Sequence, residues 1–259
     1  MKIDLEHHNR LAYEEDSIVS SYRDTSIQLP ESVIFCRYHH LHIANKNVLD
    51  IGCGLGRTTG VLAQLTDNVV GVDYSTKMVE GAKSLMPGID FRKADVRSMP
   101  MFSDHFFDFI LFAYNGIDYT SPQNRLEALK EIRRVLNPNG LFVFSTHNLR
   151  AYKRISPSLE WTINPIDFAR GLRSYVTGQR AYKRNINLEV HEDDYSVICD
   201  NGNNYRFLKY YIDPKSQIQQ LSNAGFSCVE VITLDGRSVA EDDDALASSA
   251  WVYYVCKVL

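Results

Sequence analysis

Apolar positions along the chain fall into short runs that alternate with amphipathic stretches. Strands are predicted at Asn47–Ile51, Asn68–Val72, Asp90–Arg92, Phe107–Ala113 and Leu141–Ser145. Between them lie segments with a helical apolar period. Thr76–Met86 puts Met78, Val79, Ala82 and Met86 on one face, and Asn124–Leu136 does the same with Leu126, Leu129, Ile132 and Leu136. The second stops at a turn sequence, Asn137–Gly140. An earlier helix is expected over residues 30–42, where Pro30 suits a first turn and Ile34, Tyr38 and Leu41 share a face. Alternating strands and helices with mostly apolar strands predict a parallel sheet covered on both faces.

The alternation breaks after Ser145. Residues 149–190 are basic and tyrosine-rich, and are expected to be helical in part. YSVICDNGNNYRFLKYYI then reads as a β-hairpin around Asn201–Asn204. Asp213-Pro214 caps a further helix that Gly225 ends, and SCVEVITLDG and AWVYYVCKVL supply two last strands. The expected organisation is an N-terminal helical segment (1–44), an α/β domain (45–148 and 213–259) and an inserted α+β cap (149–212).

With 44% hydrophobic and 23% charged residues, the 259-residue chain reads as a soluble globular protein. Its opening residues lack the apolar core of a signal peptide, and no run has the ~18 apolar residues of a membrane span. A cytoplasmic location and no membrane partner are expected. Cys36, Cys53, Cys199, Cys228 and Cys256 are scattered without a CxxC pair, which argues for reduced thiols and against a zinc site. His39, His40 and His42 cluster near a helix end, where the dipole favours them without a metal, and no metal is expected. The net charge of −4 conceals a local excess. Residues 150–184 hold eight Lys or Arg against Glu160 and Asp167, a local +6 that leaves −10 on the rest. Such a run is commonly a solvated face; it also suits an anionic acceptor, a carrier or nucleic acid.

The candidate chemistry begins at NVLDIGCGLGRTTG. Gly52, Gly54 and Gly56 follow the first strand, where an open parallel sheet binds its ligands. A dinucleotide fingerprint, G-x-G-x-x-G, would need a third glycine where Arg57 stands; the spacing here is G-x-G-x-G. Asp73 ends the second strand, placed to accept both hydroxyls of a ribose. Asp95 follows the third, placed to accept from an adenine amino group. Each alone could be a helix cap or a turn residue; together they mark three successive strand ends.

VLDIGCGLGRTT, VVGVDYS, KADVRSMPMFSDHFFDFILFAYN and LKEIRRVLNPNGLFVFSTHN resemble, in order, the motifs of the class I S-adenosylmethionine-dependent methyltransferases. The resemblance is clear over residues 45–148 and weaker over 213–259. It implies a doubly wound, seven-stranded, mostly parallel Rossmann-like sheet whose last strand is antiparallel. It also implies S-adenosyl-L-methionine as cofactor. Asp50, Gly52, Cys53, Gly54 and Gly56 would surround its methionine part, Asp73 would grip the ribose, and Tyr74 and Met78 would flank the adenine. Asp95 and Val96 would read the adenine edge, Ala113, Tyr114 and Asn115 would line the transferable methyl, and Tyr22 would add a contact. Cys53 is read as a small loop residue and not as a nucleophile.

Methyl transfer from a sulfonium is an in-line displacement, so alignment carries much of the catalysis. A hydroxyl acceptor gains from a general base, for which His147 is the first candidate, ahead of Asp118 and Tyr119, with His191 behind. The fourth strand ends in AYNG and not in an NPPY tetrad, and neither a Pro-Cys pair nor CxxxCxxC occurs. The expected reaction is methylation of an O or N atom of a small molecule, anionic or carrier-attached acceptors being attractive. The alternatives are an RNA methyltransferase and a non-catalytic cofactor-binding protein. Oligomeric state is left open.

Overall fold

Val48–Ile51 (β1) is buried at every position and lies in the interior of the sheet. The computed structural model describes residues 26–159 and 161–259, with Leu5, His8, Asn9, Tyr13, Glu15, Ile18, Val19 and Tyr22. Most of the expected N-terminal segment before Ser26 therefore lies outside the described residues. On one side β1 runs parallel to Val69–Asp73 (β2), which pairs in turn with Asp90–Lys93 (β3). On the other it pairs with Phe107–Phe112 (β4), and β4 with Leu136–Asn148 (β5), all parallel. The insertion contributes Val190–His191 (β6), Tyr195–Ile198 (β7) and Lys209–Ile212 (β8). Phe226–Ile232 (β9), the short Ser238–Val239 (β10) and Trp251–Val258 (β11) complete the sheet.

The main path runs β10-β9-β11-β5-β4-β1-β2-β3 among the described residues, with β11 antiparallel to both neighbours. The expected doubly wound, mostly parallel sheet with an antiparallel last strand is thus present. Residues alternate between its faces. Leu49, Ile51, Ile110 and Phe112 join one core cluster, and Val48, Phe109 and Leu111 the other.

Six α-helices accompany the strands among the described residues: Leu29–Tyr38 (α1), Thr59–Leu62 (α2), Thr76–Leu85 (α3), Pro122–Val135 (α4), Pro165–Asn185 (α5) and Pro214–Asn223 (α6). Ser75, Ser121, Asn164 and Asp213 each accept a backbone N–H of the first turn, and a proline follows the last three, where no donor is lost.

Three details differ from the sequence pattern. The first helix ends at Tyr38 and passes into a wider turn closed by Ala44 N–H on His39 O, so Leu41 is 74% exposed instead of sharing the buried face. In α4, Leu126 is exposed while Arg125 is fully buried, because Asp118 supplies a partner no periodicity reveals. The Asn137–Gly140 turn lies inside β5 as a wide bulge: Phe107 faces Leu136 and Phe109 faces Leu141, while Asn139 N–H donates to Asn137 Oδ1.

The hairpin of the insertion forms as expected, with β7 antiparallel to β8. It does not stand apart from the sheet. β5 continues beyond Ser145, and its His147 and Asn148 pair in parallel with Tyr211 and Ile212 of β8.

Candidate active site

A cleft partly open to solvent lies beyond the carboxyl ends of β1, β2 and β4. Its wall includes Gly52, Cys53 and Gly54 after β1, Asp73, Tyr74 and Met78 around the end of β2, and Asp95 and Val96 after β3. Ala113 and Tyr114 after β4, and Tyr22 and Tyr119, complete the expected residues that line it. Asp50, Gly56, Asn115, Asp118 and His147 stand behind this wall.

The glycine loop shows why its residues are small. Gly54 has φ +55°, and a Cβ there would meet nothing within 4 Å, so its backbone faces open cleft. Gly56 has φ +90°, and a Cβ would come within 2.2 Å of Met86 and 2.9 Å of Phe91. Gly56 is required by packing, Gly54 by access. Behind them Asp50 accepts hydrogen bonds from Thr58 Oγ1 at 2.7 Å and Thr59 Oγ1 at 2.6 Å, tying β1 to the start of α2. Burial pushes the Asp50 carboxyl up to about 6 despite those two donors. Cys53 is buried, and desolvation raises its thiol pKa, which fits a packing role and not a thiolate nucleophile.

Asp73 is held before any ligand arrives. Its Oδ2 accepts Gly54 N–H at 2.9 Å and its Oδ1 accepts Ser75 N–H at 2.8 Å, which fixes the carboxylate at the cleft edge. Asp95 is paired with Arg97, whose Nε and Nη2 reach its two oxygens at 2.9 and 2.5 Å. Burial opposes ionisation there, yet the Arg97 guanidinium and backbone donors hold the Asp95 carboxyl below its usual range. Any adenine contact by Asp95 shares the carboxylate with Arg97, a neighbour that the sequence reading passed over.

The far wall is aromatic. Tyr13 packs on Tyr119 at 5.2 Å and on Phe207 at 4.8 Å, and Tyr22 lies 6.3 Å from both Tyr13 and Tyr114. Burial raises the pKa of Tyr13, Tyr22 and Tyr119, so all three stay protonated and act as donors, not bases. Asn9 secures this wall, donating to Tyr119 O and Leu208 O while its Oδ1 accepts Leu208 N–H. Tyr13, Asn9 and Arg57 line the cleft without having been singled out from the sequence; no local signal marks the first two.

The candidate base has a built support. His147 Nδ1 lies 2.7 Å from Asp118 Oδ2, and its Nε2 lies 3.4 Å from Asn115 Nδ2. Asp118 is fully buried and also accepts from Arg125 Nη1 at 2.7 Å, Thr146 Oγ1 at 2.6 Å and His147 N–H at 2.7 Å. Its oxygens are taken, so it orients His147 and meets no acceptor. Arg125 uses four of its five N–H donors, on Asp118, Thr146, Gln217 and Gln220, with Tyr210 beneath its guanidinium at 4.6 Å. His191 is remote from this group, between Ser196 and Glu189 on the exposed β6. No group of three His, Cys, Asp or Glu side chains among the described residues could hold a metal.

Comparison with known proteins agrees with this geometry. The sequence pattern of the family described as "Methyltransferase domain" matches residues 48–140. A relative from Mycolicibacterium smegmatis named "Probable S-adenosylmethionine-dependent methyltransferase" is 29% identical over 133 residues, 51% of this chain and 49% of that one. A malonyl-[acyl-carrier protein] O-methyltransferase of Legionella pneumophila is 33% identical over 132 residues, 48% of this chain and 44% of its own. The matches thus span about half the length of these relatives. Among solved structures, the Burkholderia thailandensis 1,6-didemethyltoxoflavin-N1-methyltransferase superposes with TM-score 0.62 at 16% identity, covering 100% of this chain and 91% of that one. Motif order and family match converge on residues 48–140, which form a methyltransferase domain, and the fold of the whole chain is that of S-adenosylmethionine-dependent methyltransferases.

Proposed function

We propose that this protein transfers a methyl group from S-adenosylmethionine to an O or N atom of a small-molecule acceptor. The observation that carries the reading is the Gly54–Asp73 contact at the head of the cleft. It joins a loop that leaves its backbone open to a ligand with a carboxylate fixed one strand away. The residues present fit the cofactor. Open backbone at Gly54 would admit the methionine part, Asp73 would accept from the ribose hydroxyls, and Tyr74 and Met78 would flank the adenine beside Asp95 and Val96. Ala113 and Tyr114 would border the methyl, and Tyr22 would close over it. Asp50, Gly56 and Asn115 would act from behind, holding the loop and strand end in place. Bound there, the sulfonium supplies a methyl carbon for in-line displacement.

His147, one layer behind the wall with Asn115 beside its Nε2, is the proposed end of a proton route from a hydroxyl substrate, with Asp118 keeping the proton on Nδ1. Tyr119, protonated and in the cleft wall, would donate to the acceptor. The names of two similar proteins, one acting on a carrier-bound malonyl group and one on a heterocyclic nitrogen, support a small acceptor without choosing its chemistry. Calorimetry with S-adenosylhomocysteine and with NAD tests the cofactor; a metabolite screen with labelled methyl donor tests the transfer. NAD binding without an S-adenosylhomocysteine signal would overturn the reading.

A further inference from the structure

Helix α5 is the least covered of the six α-helices among the described residues. Of its 21 residues only Gly178, Ala181 and Asn185 are buried, all on the side that meets the hairpin. There Asn204 donates to Ser174 O and Thr177 Oγ1, and Asn185 donates to Tyr205 O. The opposite side carries Leu172, Val176, Arg180 and Lys183 at helical spacing, with Arg173 beside them. Apolar residues at the start of the helix stay exposed: Trp161, stacked on Phe168 at 5.0 Å, is 83% exposed, Ile163 fully so, and Ile166 of the first turn 62%.

Charge follows the same division. Arg150 and Arg154 are turned inward to Asp213 and Glu189. Arg173, Arg180 and Lys183 point outward with no acidic partner among the described residues, and the +6 of residues 150–184 sits on a chain whose remainder carries −10. Singly exposed apolar side chains are ordinary; a tryptophan and two isoleucines projecting from one tip, next to a row of cations, are not.

We propose that the outer face of α5 and its Trp161–Ile166 tip dock on an anionic lipid surface. Protruding apolar side chains need no shaped partner when they enter a fluid interface, and tryptophan is favoured at that depth. The outward cations meet the negative headgroups, while the acidic remainder orients the molecule with this face toward the bilayer. No helix among the described residues is long and apolar enough to cross a membrane, so the attachment is peripheral. This runs against the expectation of no membrane partner and does not depend on the methyltransferase reading.

Sedimentation with vesicles of phosphatidylcholine, alone or mixed with phosphatidylglycerol, tests it. The protein should bind the mixed vesicles at low salt, release them as salt rises, and leave pure phosphatidylcholine largely free. Its fluorescence should shift to the blue on binding, and Trp161→Phe should remove that shift. Neutralising Arg173 or Lys183 with glutamine should weaken binding about fivefold each. Trp161→Ser with Ile163→Ser should weaken it at unchanged charge and an unchanged thermal transition. Absence of binding to mixed vesicles at low salt overturns the proposal. So does binding that survives the double serine variant undiminished, or binding confined to RNA or to an acidic carrier protein.

Discussion

Arg57, the residue in place of a third dinucleotide-fingerprint glycine, grips Glu31 with two nitrogens, at 2.5 and 2.7 Å. Glu31 is fully buried, and it also accepts Gln28 N–H and Tyr253 O–H, both at 2.8 Å. The cofactor loop is therefore fastened to α1 and to β11 through one carboxylate. Arg57→Ala would leave that carboxylate buried without its cation, at a cost of about 3–5 kcal/mol. Chemical denaturation should show the loss, and Glu31→Gln should cost less because it keeps an acceptor and leaves unpaired the more exposed charge of the two, that of Arg57.

Asp73→Ala should weaken S-adenosylhomocysteine binding by ~1.5–3 kcal/mol through loss of the ribose contact. Calorimetry measures it directly. Unchanged affinity would remove Asp73 from the ribose.

The raised pKa of Asp50 has a definite sign. Its folded value, about 6, lies above the ordinary 3.8, so the folded state holds the extra proton between those pH values. Its contribution to stability is full below about pH 4 and lost as pH rises through 6, a difference of roughly 3 kcal/mol. Asp50→Asn keeps an acceptor for the two threonine hydroxyls and removes the charge. The variant should be more stable than the parent at pH 7, with the gap closing toward pH 4, as paired denaturation curves would show.

His147→Ala should leave S-adenosylhomocysteine affinity unchanged, since the ring stands behind the cleft wall, and should lower turnover of a hydroxyl acceptor by about 10²–10⁴-fold. Asp118→Ala should do more damage of a different kind, stranding the buried Arg125 and costing about 3–5 kcal/mol of stability. Equal stability losses in the two variants would make His147 a packing residue.

What could be read from the sequence was local. Gly52, Gly54 and Asp73 announce themselves because loop spacing and strand ends are encoded within a few residues, and the apolar runs mark β1 to β4 to within a residue at each end. The group around Asp118 was not legible in that way. Its members come from a turn, α4, β5 and α6, and Arg125 looks like one more polar residue of a helix until Asp118 is seen at 2.7 Å. Arg57 was legible only as a missing glycine; its partner lies 26 residues earlier. The extent of β5 was hidden too, because His147 and Asn148 are strand residues only by virtue of Tyr211 and Ile212 in the insertion.

That last pairing has a mechanical meaning. The hairpin is hydrogen-bonded to β5, a strand well inside the sheet, and one of the two residues it pairs with is the proposed base, His147. A swing of the hairpin away from the sheet would break those rungs and displace His147 with them. Substrate entry and product escape must then leave this floor still, so the moving parts of the catalytic cycle belong to the walls that face it.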